Sequence, residues 1–215
     1  MLNVVFPSHF YPSNPREVSM NFEQQITMTK IQAVSDKGLI AYMAGLGVQA
    51  HTTKKYLKEL TLYNRAAKKH FVALGMLNEE EGYEVRNLHV SDCIGERDIS
   101  VIRGTQIKPN HLHVFLDMKD FLAVVAREKD QAFKGDALVL HTWDLLHKVP
   151  PYLYQYGYKD LHTWMPNNHS GRQARNKLSA FCACEPGLQH RAMNGMYWGY
   201  ENATEWCVRE KPLRA

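Results

Sequence analysis

The chain has 215 residues, 45% of them apolar and 22% charged, which is the balance of a globular protein large enough to bury a core without disulfide or metal staples. Its 26 Lys and Arg against 22 Asp and Glu give a formal charge of +4, too small to mark the whole molecule as a polyanion binder, so local clustering must decide. No apolar run approaches the ~20 residues that span a bilayer, and Met1 to His9 lack the basic leader and cleavage site of a secretory signal.

Four cysteines, Cys93, Cys182, Cys184 and Cys207, are too few for a disulfide scaffold. The expectation is a cytoplasmic protein with no membrane partner.

Along the chain, residues 1–20 carry Pro7, Pro12 and Pro15 among Ser and Asn, a composition that predicts an extended arm. Residues 21–77 show helical spacing and are expected to form a mainly helical part. The charge then changes sign. Residues 51–70 hold Lys54, Lys55, Lys58, Arg65, Lys68 and Lys69 against Glu59 alone, whereas residues 79–98 hold seven acids against Arg86 and Arg97. That switch sets the boundary to a mixed part, residues 78–215.

In this second part Tyr83 to Val90, Ile99 to Ile102 and His111 to Leu116 read as strands, and Met118 to Phe133 as a helix with Phe121, Leu122, Val125 and Ala132 at helical intervals. Asp136 to Leu146 is an apolar segment of open type, and Pro150 and Pro151 break the chain after it. The last sixty residues show no clean period. The fold expected is α+β, a helical N-terminal part followed by a small mixed sheet with helices.

Leu39 to Leu60 reads LIAYMAGLGVQAHTTKKYLKEL. Leu39, Ile40, Met43 and Leu46 precede Gly47, a residue suited to a sharp turn at positive φ, and Thr52 can cap a second helix. The segment resembles the helix-turn-helix of bacterial and phage regulators, in which Gly-Val is followed by Thr and then by Tyr-Leu. At about 100° per residue, Leu57, Leu60, Tyr63, Ala67, Phe71 and Leu74 share one helical stripe of about 120° and the cations occupy the rest. The resemblance implies DNA contacts from Thr52, Thr53, Lys54, Lys55, Lys58, Arg65 and Lys69, with phosphate binding driven by counterion release. A solvated charged face gives the same pattern.

A second constellation is Pro109-Asn110-His111-Leu112-His113-Val114-Phe115-Leu116. On a strand, His111 and His113 point to one side, and two imidazoles there can chelate a divalent ion. The pattern resembles the metal-binding strand of HUH endonucleases. It implies a Mg or Mn cofactor on His111 and His113 and a tyrosine nucleophile, Tyr154, Tyr156 or Tyr158, that attacks a DNA phosphodiester. Gly157 sits inside the tyrosine helix this requires, at a cost of about 1 kcal/mol. His70, His89 and Glu84 are third-ligand candidates by type alone, and a core strand with two hydrogen-bonded histidines is the alternative.

Two further signals lie in the last third. Cys182, Cys184, His190 and Cys207 are four ligand types for zinc, but a one-residue gap between Cys182 and Cys184 is uncommon for a tetrahedral site, and buried free thiols fit as well. His169 to Lys177 (HSGRQARNK) is a second cationic cluster, flanked by Trp164, Phe181 and Trp198. Single-stranded nucleic acid stacks on aromatics interleaved with Arg and Lys, and a small core beside a polar loop has the same composition. There is no P-loop, dinucleotide fingerprint, H-E-x-x-H or G-x-S-x-G elbow.

The sequence therefore leads to a DNA-binding protein, in the manner of a helix-turn-helix regulator of a phage, plasmid or other mobile element, with no cofactor. The alternatives are a metal-dependent nickase and a protein-interaction module or inhibitor whose basic helix docks on an acidic protein partner. Regulators of the first kind bind paired half-sites, which makes a homodimer an expectation.

Overall fold

The computed structural model describes residues 25–128 and 134–210. The expected arm, residues 1–20, lies outside them, as does the end of the helix expected to reach Phe133. Two five-stranded sheets organise the chain. The first is an antiparallel meander of β1 (Ile26–Ala33), β2 (Lys58–Asn64), β3 (Lys69–Leu77), β4 (Tyr83–Arg86) and β5 (Ser91–Ile94), with α1 (Lys37–Gly45) and α2 (Ala50–Tyr56) between β1 and β2. The second sheet has the order β10-β9-β7-β8-β6. Its strands are β6 (Ser100–Ile102), β7 (His111–Phe115), β8 (Asp136–Val139), β9 (Asp160–Trp164) and β10 (Gln189–Ala192). All are parallel except β6. α3 (Met118–Arg127), α4 (Val149–Tyr156) and α5 (His169–Cys184) make the crossovers, and α6 (Ala203–Arg209) closes the described chain.

The α+β class stands, but the mainly helical N-terminal part does not. The helix expected to run on through Leu74 is a two-turn helix followed by the β2–β3 hairpin. The segment Lys-Glu-Leu-Thr-Leu-Tyr-Asn also satisfies a period of two, placing Leu60 and Leu62 together in a core with Ala73, Val85 and Ile26. Asn64 then ends the strand: its Oδ1 accepts from the Ala67 N–H at 2.8 Å, and Lys68 takes φ 53°. This is turn chemistry that a helix cannot accommodate.

The helix-turn-helix geometry itself does form over a short span. Gly47 stands at φ +81° between α1 and α2, and Leu39, Met43 and Val48 are buried as the pattern requires. Gln49 occupies the N-cap position of α2, however, and Thr52 lies inside the helix.

The outer face of the first sheet carries the Leu60 and Leu62 core. Its other face, through Leu57, Leu74 and Met76, joins α1 and reaches α3 and the second sheet in one continuous core. Within the second sheet the alternation is strict. Phe115, Ala137, Val139 and Trp164 point toward α3 and α6, whereas Leu112, Val114, Leu138 and Leu161 point toward α4 and α5. At about 25 cal/mol per Å² of apolar area removed from water, two such covered faces supply the main stabilising term.

No helix among the described residues is long and apolar enough to cross a membrane.

Candidate nucleic-acid interface

The second sheet creates a crevice by topology. β7 continues into α3 on one face and its neighbour β9 continues into α5 on the other, so the carboxyl ends of these adjacent strands part. In open parallel sheets, ligands collect at such a switch point.

The loop after β9 is built for a fixed shape. Asn168 caps α5 by accepting from the Gly171 N–H at 2.9 Å. A Cβ at Gly171 would stand 2.0 Å from the Pro166 carbonyl oxygen, so only glycine allows this approach. Asn167 is fully engaged. Its Nδ2 donates to the carbonyls of Tyr197 (3.1 Å) and Tyr200 (2.9 Å), and its Oδ1 accepts from Asn194 Nδ2 at 2.8 Å. Arg175 donates to the carbonyls of Met165 and Pro166 at 3.2 and 2.9 Å. These bonds tie α5 to the strand end and hold the return loop, residues 194–201, beside it.

A cavity of about 520 Å³ lies between that loop and α5, lined in part by Asn167, Arg172, Arg175, Trp198 and Glu201. Trp198 is 82% exposed, an unusual state for an indole, and follows directly on fully buried Tyr197, whose hydroxyl donates to Met165 O at 2.8 Å. The tryptophan is thus carried on an anchored neighbour. Burial lowers the Arg175 pKa from its ordinary value, with Arg172 close enough to add to the effect. Arg172, Arg175 and Trp198 therefore line one open cavity at the carboxyl edge, with Glu201 among them.

A polar seam links the crevice to the first sheet. Asp117 caps α3 through the Lys119 N–H at 2.8 Å and also takes Arg86 Nη2, from β4, at 3.0 Å. Just past β8, His141 adopts φ 65°. Its Nε2 lies 2.8 Å from Ser100 Oγ, whose hydroxyl donates to Leu77 O at 2.7 Å, so the imidazole nitrogen is the donor of that pair. Burial pushes the His141 pKa down to about 3 and keeps the ring neutral.

The residues expected to contact DNA through a recognition helix do not share one direction. Thr52 and Thr53 are 2% and 0% exposed. Lys54 and Lys55 are exposed on α2 and Lys58 at the start of β2, whereas Arg65 and Lys69 flank the far hairpin turn. A seven-residue strand, about 23 Å long, separates the two groups.

His111 and His113 do share a face, their rings 5.9 Å apart. Pairing of β7 with β9 adds a third histidine that spacing did not reveal: His162 stands opposite His113, with ring centroids 4.6 Å apart. His113 Nδ1 accepts from Trp164 Nε1 at 3.1 Å, and His162 Nδ1 is buried without a partner among the described residues. Burial, with His162 and His111 as neighbours, lowers the His113 pKa to about 3.

The tyrosines lie elsewhere. Gly157 ends α4 at φ 68°, so Tyr154 and Tyr158 do not share a helix. Tyr158 packs in the core on the opposite face from the histidines, its hydroxyl donating to Asp136 at 2.6 Å, and burial raises its pKa. Tyr154 bonds Glu185, and Tyr156 lies against Arg103. The histidine and tyrosine parts expected of a nickase are therefore not assembled.

Among the described residues no group of three or more His, Cys, Asp or Glu has the arrangement to hold a metal ion. Cys182 lies in the core beneath α5 and Cys207 in the core beneath α3, whereas Cys184 is exposed and His190 pairs with Thr163 Oγ1.

A family model described as "Domain of unknown function (DUF8464)" matches residues 28–95, which corresponds to the first sheet with its two helices. No curated protein matches the chain. Among solved structures, the primase fragment of the bacteriophage T7 primase-helicase protein superposes with a TM-score of 0.57. The identity is 13%, covering 85% of this chain and 78% of that one. A chain in a structure of the bacteriophage T7 lagging-strand DNA polymerase with primase domains bound to an RNA/DNA hybrid and dTTP aligns at a TM-score of 0.46 and 13% identity. It covers 88% of this chain and 89% of that one. The chain shares its fold with the primase fragment.

Proposed function

We propose that the protein binds single-stranded DNA at the carboxyl edge of its second sheet, with Trp198 stacking on a base and Arg172 and Arg175 facing phosphate. The observation that carries this reading is the exposed indole of Trp198 beside two guanidinium groups, on a loop pinned by Asn167 and Arg175. An indole left in water on a rigid loop gains most by stacking, and base–aromatic contacts contribute about 1–3 kcal/mol each. The fold shared with a primase fragment supports a nucleic-acid ligand, and its bacteriophage source supports a role in a phage or other mobile element. The helix-turn-helix mode gains no comparable support, because the hydroxyls meant to read bases are buried.

The test is retardation of labelled oligo-dT over a salt series. Arg172→Glu should weaken binding and flatten the slope of log K against log salt by about 0.7, the single-strand value for one lost phosphate contact. Lys54→Glu with Lys58→Glu should do neither. The opposite pattern, with Arg172→Glu silent and the lysine pair decisive, would return the function to the basic segment after Gly47.

A further inference from the structure

At the amino edge of the second sheet, one strand length or about 17 Å from its carboxyl edge, three loops join into one rim. Gln106 N–H donates to Lys134 O at 3.1 Å, and the Lys159 and Asp160 N–H groups donate to Asn110 O at 2.7 and 3.0 Å. Asp136, only 4% exposed, is the hub: it accepts from Gly104 N–H (2.8 Å), Tyr158 Oη (2.6 Å) and Arg103 Nη1 (2.7 Å). Held this way, the Arg103 guanidinium lies 4.3 Å over the Tyr156 ring, and Tyr156 in turn stacks on Tyr152 at 5.6 Å.

The Arg103 side chain remains 50% exposed. Lys108, Lys134 and Lys159 are exposed on the same three loops. The exposed carboxylate of Glu79 reaches this rim, where it accepts from Tyr152 Oη at 2.6 Å, and the lysines outnumber it. Asp136 is buried and spent on its three donors, and Asp160 pairs with Arg191 at 3.1 Å.

We propose that this rim is a second nucleic-acid contact surface, which takes the phosphodiester backbone of a strand through Lys108, Lys159 and Arg103 and stacks one base on the Arg103–Tyr156–Tyr152 ladder. A solvated lysine patch alone would suit any polyanion. The feature that favours nucleic acid over an acidic protein is the planar cation, pre-oriented by a buried carboxylate and backed by two stacked rings, because a flat guanidinium matches both a base face and a phosphate fork. The rim stands apart from the Trp198 cavity and does not depend on it.

The experiment measures fluorescence anisotropy of the full chain with labelled oligo-dT of about 30 nucleotides, long enough to pass both edges. Lys108→Glu with Lys159→Glu should raise Kd about tenfold or more and lower the salt slope by about 1.4, two single-strand phosphate contacts. Arg103→Lys should weaken binding several-fold with the slope retained, since the charge stays and the plane is lost. The lysine pair is introduced again in an Arg172→Glu background. A further loss of affinity there supports the rim whether or not the cavity binds. Unchanged Kd and slope in both backgrounds would overturn the proposal. So would retention of a poly-glutamate peptide by a rim that ignores oligo-dT.

Discussion

Asp120→Asn should stabilise this protein at neutral pH. Asp120 is 5% exposed on α3 and accepts from both the Thr204 N–H (2.9 Å) and Thr204 Oγ1 (2.6 Å) at the start of α6. Burial raises its pKa from 3.8 to about 6 despite those two bonds. A folded-state value above the unfolded one means that folding opposes ionisation. The penalty is absent below about pH 4, grows between pH 4 and 6 and is complete above pH 6. Two units at about 1.4 kcal/mol each give a cost of about 3 kcal/mol at pH 7. Asparagine keeps the accepting oxygen and removes the charge, but it brings an amide N–H₂ that costs about 1–2 kcal/mol if buried without a partner. The net gain expected is about 1–2 kcal/mol at pH 7, or about 2–8 °C in Tm for a chain of this size. At pH 4 the sign should reverse. Urea melts at the two pH values measure both numbers, and a variant equally destabilised at pH 7 and pH 4 would refute the reasoning.

His113 and His141, both lowered by burial to about 3 from 6.5, are neutral in the fold. Their contribution is complete above about pH 6.5 and is lost as pH falls toward 3, at about 1.4 kcal/mol per unit each. Thermal melts from pH 7 to 4.5 should fall, by less than that sum because Asp120 recovers stability over the same range, and a flat profile would contradict the assignment. Asp117→Ala removes the α3 cap and the partner of Arg86, whose Nε is already buried without an acceptor among the described residues. A loss of about 2–4 kcal/mol in urea melts is expected, with less than 1 kcal/mol arguing against the seam. Gly171→Ala forces a methyl into the Pro166 carbonyl and should cost about 1–3 kcal/mol, together with oligo-dT affinity. Stability lost with affinity retained would separate the α5 N-terminus from the binding loop.

The legible parts of the sequence were those where local chemistry and tertiary need agree. Gly47 between two apolar runs gives α1, a left-handed turn and α2, and Asp117 before an amphipathic run gives α3. The same holds for β7, where Leu112 and Val114 face one core and His111 and His113 the other side. Residues 58–74 fit a helical stripe as well as an alternating strand, and only Asn64 and Lys68, read as a turn, distinguish them.

The candidate site was half visible. Arg172, Arg175 and Trp198 stand out by composition, but their convergence depends on Asn167 joining β9 to the return loop 27–33 residues away. Of Trp164 and Phe181, equally prominent as letters, the first is a core side chain and the second packs half-buried against the core. His162 joins the histidine pair only through the β7–β9 register, a non-local pairing that no spacing encodes.

If the exposed face of Trp198 contacts nucleic acid, tryptophan fluorescence will report it during titration with oligo-dT. The other three tryptophans are Trp143, Trp164 and Trp206; Trp164 and Trp206 are buried, at 4% and 8% exposure. Saturable quenching should appear in the native protein, disappear in Trp198→Phe, and accompany a loss of affinity of tenfold or more in Trp198→Ala, matching about 1–3 kcal/mol for one stacked base. Binding of undiminished strength in Trp198→Ala, or quenching that persists in Trp198→Phe, would contradict the account.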